Sequence, residues 1–188
     1  DELGTPEVDR HRQLIQTGIP RPIAVYVGAM DVWFDYRLMD EVLDRLPHVS
    51  FVLIGPDELA RQRLRPRPNL HLLGRRPYAD VPAYLQHADV GLIPFDVVSH
   101  AELVNSIQPL KLYEYAACGL PIVATEWEEL TYLNSPARLC RENDAFVCAI
   151  DQALASPPAR VALQAYAAEH DWGARVSTLL KQLGVSNE

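Results

Sequence analysis

The sequence is poor in cysteine, and the three it has, Cys118, Cys140 and Cys148, share no C-x-x-C spacing. That excludes a disulfide framework or a zinc cluster built on thiolates. All three sit in apolar segments and read as buried free thiols, as in a reducing cytoplasm. No apolar run approaches the ~18 residues of a membrane-crossing helix. Basic charge is in deficit: 17 Lys and Arg stand against 25 Asp and Glu, a net charge of −8. Proteins that track a polyanion spread cations over one face, so nucleic acid is not an expected partner.

The common catalytic signatures are missing too. There is no G-x-G-x-x-G, no G-x-x-x-x-G-K-[ST], no G-x-S-x-G elbow and no H-E-x-x-H. Six scattered histidines and no activated cysteine give no basis for a metal site or for hydrolase chemistry. The chain opens Asp1-Glu2-Leu3-Gly4, without the Met, basic flank or apolar stretch of a signal peptide. The expectation is a piece of a longer cytoplasmic protein.

What is present is a domain's worth of core: 188 residues, 48% hydrophobic and 22% charged. Residues 1–21 read as a linker, and 22–188 as one domain. Short runs of consecutive apolar residues at Ile23 to Val27, Ser50 to Ile54, Leu70 to Leu73, Val90 to Ile93, Pro121 to Ala124 and Arg138 to Cys140 predict strands, most of them covered on both faces. Helical spacing fills the gaps, as in Leu38, Val42, Leu43 and Leu46, or Val81, Tyr84, Leu85 and Ala88. The alternation predicts an α/β fold, a Rossmann-like doubly wound parallel sheet of about six strands. Three C-terminal helices follow, over Asn143 to Ala155, Ala159 to His170 and Trp172 to Leu183, with Pro157-Pro158 as a break.

Such sheets bind ligands beyond the carboxyl ends of their strands. After the first strand come Gly28, Asp31 and the aromatic Trp33, Phe34 and Tyr36. They form either a hydrophobic plug, with Asp35 as helix N-cap, or one wall of a cleft with Asp31 or Asp35 facing in. After the third come Arg75, Arg76 and Pro77, equally suited to meeting an anion or planar ring and to plain solvation. Between the fourth and fifth runs Asn105-Ser106-Ile107-Gln108-Pro109-Leu110-Lys111, which predicts a helix from Pro109, as first helical residue, to Cys118, with Gly119 as C-cap. Lys111 then lies in the first turn, where the helix dipole is already positive. Either an anion settles there, with Glu114 accepting bonds from vicinal hydroxyls, or Lys111 and Glu114 form an ordinary surface pair.

PLKLYEYAACGLPIVAT resembles the donor-domain motif of group 1 glycosyltransferases of the GT-B fold. VYVGAMDVWFDYRLM, FVLIGP, NLHLLGRRPYADVPAYLQHADVGLIPF and HDWGARVSTLL resemble further pieces in the same order. The resemblance implies the C-terminal, donor-binding half of a GT-B enzyme that transfers a hexose from a UDP-sugar or GDP-sugar in glycan or polysaccharide synthesis. It implies retention of configuration, no metal and no cofactor. By similarity, Lys111 and Glu114 are the catalytic pair, on diphosphate and ribose. Leu110 with Arg75, Arg76 and Pro77 lies at the base, Asn105, Ser106 and Pro109 at pyrophosphate and sugar, and Gly28 with Asp31 on the opposite wall. An N-terminal acceptor domain is the implied partner, and peripheral membrane association of the whole protein is compatible with it. Alone, the half is expected to bind donor and transfer poorly. Two departures stand out: Ser106 replaces a Glu common eight residues before the Glu114 position, and Ala29 and Phe34 replace basic residues of the Gly28 loop. They shift phosphate binding onto Lys111, with Arg37, and suit a second reading, a nucleotide-binding regulatory module without catalysis. A UDP-sugar epimerase is a third.

Overall fold

The computed structural model describes residues 18–170 and Gly173. Six parallel strands, β1 (Ile23–Val27), β2 (Ser50–Ile54), β3 (Leu70–Gly74), β4 (Val90–Ile93), β5 (Ile122–Thr125) and β6 (Arg138–Cys140), form one sheet in the order β3-β2-β1-β4-β5-β6. This is the doubly wound Rossmann-like arrangement, and its order reverses between β1 and β4. The helices are α1 (Tyr36–Arg45), α2 (Glu58–Arg63), α3 (Val81–His87), α4 (Ala101–Asn105), α5 (Leu110–Ala117), α6 (Glu128–Tyr132), α7 (Asn143–Ala155) and α8 (Arg160–Glu169).

The central strands are apolar at successive positions because helices cover both faces. Every residue of β2, β4 and β5 is buried. Helix α1 starts where Asp35 accepts a hydrogen bond from the Leu38 amide at 2.9 Å, and it buries Tyr36, Leu38, Met39, Val42 and Leu43 on one face. In α7 the buried residues Phe146, Val147, Ala149, Ile150 and Ala153 define the core face. Position 148 falls on the opposite side at 100° per residue. Cys148 is therefore exposed and Cys118 only partly covered, which corrects the expectation of three buried thiols; Cys140 alone is buried.

Helix α8 lies within the segment expected from Ala159 to His170. The helix expected over Trp172 to Leu183 and residues 1–17 of the expected linker lie outside the described residues. Where the chain enters the sheet, Arg21 pairs with Asp89, whose carboxylate also accepts the Ile23 amide at 2.7 Å.

The carboxyl edge of the sheet is stitched into one surface. Gly28 N donates to Ile54 O at 2.9 Å, Gly55 N to Gly74 O at 3.0 Å, Asp35 N to Pro94 O at 2.9 Å and Asp96 N to Trp33 O at 2.8 Å. Gly55 has φ +142°, and a Cβ there would stand 2.0 Å from the Gly28 carbonyl oxygen. Only glycine permits that crossing of two backbones. The aromatic run after β1 is a plug: Phe34 is buried edge-on against Tyr26 at 4.9 Å and Tyr36 at 5.0 Å, and it bridges Phe95 after β4.

A Cβ at Gly91 in β4 would lie 2.5 Å from the Tyr115 ring. Gly91→Ala is therefore expected to lower stability by about 1–3 kcal/mol through overpacking. Urea denaturation checks this; an unchanged midpoint contradicts the packing described.

Candidate functional site

Helix α5 is held by one side chain. Tyr115 is fully buried, its ring lying over Gly91. Its hydroxyl oxygen accepts from the Val27 amide at 2.9 Å, and its O–H donates to Leu92 O at 3.4 Å. One phenol thus ties the helix to the ends of β1 and β4, across the point where strand order reverses. Burial pushes its pKa well up, so it stays a donor. At the far end, Gly119 at φ +66° turns the chain, and Leu120 N bonds back to Tyr115 O at 2.9 Å. Pro109 is the N-cap rather than the first helical residue: its extended ψ of 109° leaves Leu110 as the first. Among the described residues, the amides of Leu110 and Lys111 have no acceptor, no side chain caps the end, and the first turn carries no acid.

Lys111 precedes Tyr115 by four residues, on the same helix face. Its ammonium sits 4.9 Å from the centre of the Phe95 ring and 5.3 Å from that of Tyr26. A Cβ on Gly28 would stand 3.2 Å from its Cε and 3.4 Å from its Nζ, so the glycine makes room for the cation. Among the described residues the ammonium has no hydrogen bond and no carboxylate within 4.0 Å. The ordinary Lys111–Glu114 surface pair therefore does not form. Burial drives the amine down from 10.5 to about 8, against an opposing pull from Glu114. A fall from 10.5 to about 8 corresponds to roughly 3 kcal/mol, at ~1.4 kcal/mol per pH unit. Two cation–π contacts offset part of the cost of keeping the charge there. The site is a cation without a counter-ion, beside unpaired helix amides.

Glu114, one turn further along α5, accepts a hydrogen bond from the Tyr78 hydroxyl at 2.9 Å. That bond brings the loop after β3 to the same place. Arg75, Arg76 and Pro77 are exposed on it, and Arg76 Nε reaches the Tyr84 hydroxyl at 3.2 Å. Gly28 forms the near wall. Asp31 is taken up by its own turn, accepting from Val32 N at 2.7 Å. Asn105 and Ser106 end α4. Asn105 Oδ1 accepts from the Glu128 amide at 3.3 Å, and Ser106 Oγ donates to Leu103 O at 2.7 Å. Leu110 is 67% exposed at the helix start. Lys111, Glu114 and Gly28 thus come together, joined through Tyr78 to the arginine loop, whereas Asp31, Asn105 and Ser106 each have one side-chain oxygen bonded to backbone. Among the described residues no three of His, Cys, Asp and Glu gather as metal ligands, and no helix is long and apolar enough to cross a membrane. A cavity of about 300 Å³ beside β3, lined by Arg61, Leu64, Pro66, Arg67, Leu70 and Leu72, shares no residue with this site.

Sequence reasoning missed Tyr115 as the helix anchor, Gly55 as the crossing point, Phe95 and Tyr26 as the walls around the amine, and Tyr78 as the partner of Glu114. The Gly91–Tyr115 and Gly28–Gly55 contacts are long-range and have no local signature. Only Tyr78, following the singled-out Arg75 to Pro77, had a signal within reach.

The model of a glycosyl transferase-like family matches residues 36–181. The chain belongs to that glycosyl transferase-like family. A Bacillus subtilis (strain 168) protein named "Putative teichuronic acid biosynthesis glycosyltransferase TuaH" is 26% identical over 115 residues, which cover 59% of this chain and 28% of that protein. Among solved structures, Anabaena Alr3699/HepE in complex with UDP aligns with TM-score 0.74 at 20% identity, over 96% of this chain and 53% of that one. Sucrose-phosphate synthase from Thermosynechococcus elongatus aligns with TM-score 0.70 at 21% identity, over 94% and 48%. These structures share the fold, and the sheet described here corresponds to one GT-B half. The chain spans about half the length of those structures and about a quarter of the curated relative.

Lys111→Met removes a charge that the glycosyl transferase-like fold shelters without a partner. At pH 7 the unliganded variant is expected to be more stable than the parent by about 1–3 kcal/mol. The folded-state pKa lies below the unfolded one, so the parent's deficit shrinks as pH rises from about 8 toward 10.5. Urea denaturation of both proteins at pH 7 and 9.5 checks this. A variant less stable than the parent at pH 7 contradicts the unpaired ammonium.

Proposed function

We propose that this chain is the donor-binding half of a glycosyltransferase and holds a nucleoside diphosphate sugar at the carboxyl edge of its sheet. The observation that carries this reading is the unpaired Lys111 ammonium beside the free amides of α5. A diphosphate supplies the missing counter-charge, accepts the amide hydrogen bonds, and lies where strand order reverses. Glu114 accepts the ribose hydroxyls, Leu110 with the Arg75 to Pro77 loop borders the base, and Gly28 leaves space for the phosphates. The Asn105 to Pro109 segment lies toward the sugar.

As the glycosidic bond to the donor breaks, negative charge grows on the departing diphosphate. Lys111 and the α5 amides are fixed in place before that charge develops, so stabilising it needs no reorganisation. This is the role a divalent cation fills in other transferases, and it supports transfer of a hexose without metal or cofactor, with retention of configuration as in the group 1 enzymes the motif resembles. A UDP-sugar donor and a polysaccharide product are supported by the structural neighbour solved with UDP-glucose and by the relative named for teichuronic acid biosynthesis. GDP-sugar remains the alternative donor. The acceptor is held by a second domain of the same protein, at the cytoplasmic side of a membrane that the whole protein can touch peripherally.

A second reading, a nucleotide-binding module without catalysis, is favoured by Ser106, whose hydroxyl is turned back onto Leu103 O at 2.7 Å where relatives carry a carboxylate. Turnover assays on the full-length protein separate the two, since a module binds nucleotide and does not transfer.

Titration of the chain with UDP, GDP and ADP is expected to show binding, lost by about a hundredfold in Lys111→Ala. Binding the anion raises the amine's pKa, so above pH 8 complex formation takes up a proton. Affinity of the parent is expected to fall about tenfold or more between pH 7 and 9.5, while Lys111→Arg, charged throughout, stays flat. Undiminished nucleotide affinity in Lys111→Ala, or a flat profile in the parent, contradicts the reading.

A further inference from the structure

Tyr78 has no structural reason to be where it is. Its ring is 76% exposed, one of the least covered large apolar side chains among the described residues. It begins a single 3₁₀ turn, Tyr78–Asp80, between the Arg75 to Pro77 loop and α3. The hydrogen bond recorded for it runs 36 positions along the chain to Glu114 Oε1, at 2.9 Å. The ring is mostly in solvent, and its hydroxyl reaches the candidate site.

We propose that Tyr78 is an autoinhibitory contact of the nucleotide site: in the empty site its phenol occupies the Glu114 oxygen that a ribose hydroxyl takes, so that a ligand bearing a vicinal diol engages Glu114 only by displacing it. This rests on the nucleotide-binding reading above and names the internal contact that nucleotide binding has to break.

The argument is an exchange between like donors. A phenol O–H and a ribose O–H both donate to a carboxylate, and the phenol engages one oxygen only. Glu114 Oε2 has no partner among the described residues. A ribose presents two adjacent hydroxyls, which together can occupy both oxygens. A ligand with both hydroxyls therefore replaces one charge-assisted bond by two, whereas one with neither offers nothing in exchange and leaves the phenol in place. Displacement is sterically free, because the exposed ring swings into solvent without disturbing the core. Glu114 pulls the Tyr78 pKa upward, as expected of a phenol that donates to a carboxylate. The device keeps Glu114 satisfied in the absence of ligand and subtracts a fixed amount from the affinity of every ribonucleotide.

The test is calorimetry with UDP, GDP and ADP, each beside its 2′,3′-dideoxy counterpart, on the parent and on Tyr78→Phe. Phenylalanine keeps the ring and removes the competing donor, and at an exposed position it does not threaten the fold. The expected result is that Tyr78→Phe binds the ribonucleotide about threefold to tenfold more tightly while the dideoxy ligand is unchanged, so the ratio of the two affinities rises by that factor. A purely structural role would move both ligands together. Equal ribonucleotide affinity in parent and variant, or a parallel change for both ligands, overturns the exchange while leaving nucleotide binding intact. Binding of none of the six ligands to either protein overturns the nucleotide reading and the exchange with it.

Discussion

A single amine, without a counter-ion among the described residues, organises the site of this domain. Lys111 sits between two aromatic rings, against a glycine, at the start of a helix whose dipole already repels it. Nothing in the fold needs a lysine at that position; a methionine would fill the same space without the cost of desolvation. An arrangement that spends stability on a charge and gives it no partner among the described residues is explained when the partner comes from outside.

The rest of the architecture serves to keep that amine where it is. Tyr115 spans from α5 to the ends of β1 and β4 and so sets the height of the helix over the sheet. Gly91 makes room for the Tyr115 ring, Gly28 for the lysine, and Gly55 for the backbone of Gly28. Each contact is short enough that a methyl group would disturb it, and together they link three strands, β1, β2 and β4, to one helix. Phe34 and Tyr36, buried and packed edge-on, hold down the loop after β1. Rigidity of this kind suits a site that stabilises charge by being arranged in advance.

Much of this was legible in the sequence, and the division follows the range of the interactions. All six strands lie within one residue of where the pattern placed them, and the signal is strongest for β2, β4 and β5, where burial on both faces leaves consecutive apolar residues. Helix α5 came from Pro109 and Gly119, and the one-residue slip at its start reflects the extended backbone that Pro109 adopts. The oddness of a lysine in a first helical turn was likewise local. What no local pattern held was who meets whom across the sheet: Tyr115 over Gly91, Phe95 and Tyr26 around Lys111, Tyr78 on Glu114. The mistaken burial of Cys148 has the same origin, since an apolar neighbourhood in sequence does not say which side of a helix a given position occupies. Asp31, Asn105 and Ser106 were candidate ligand contacts by location, and in the structure one side-chain oxygen of each is bonded to backbone.

The sequence contains two lysines, Lys111 and Lys181, so labelling lysine Cε with carbon-13 gives two resonances that are easily told apart by mutation. Following them by NMR across pH, without and then with saturating UDP, measures the central claim directly. The account predicts that Lys111 ionises near 8 in the empty protein and that UDP moves this value upward. A Lys111 that titrates at the ordinary 10.5 in the empty protein and does not respond to the nucleotide contradicts it.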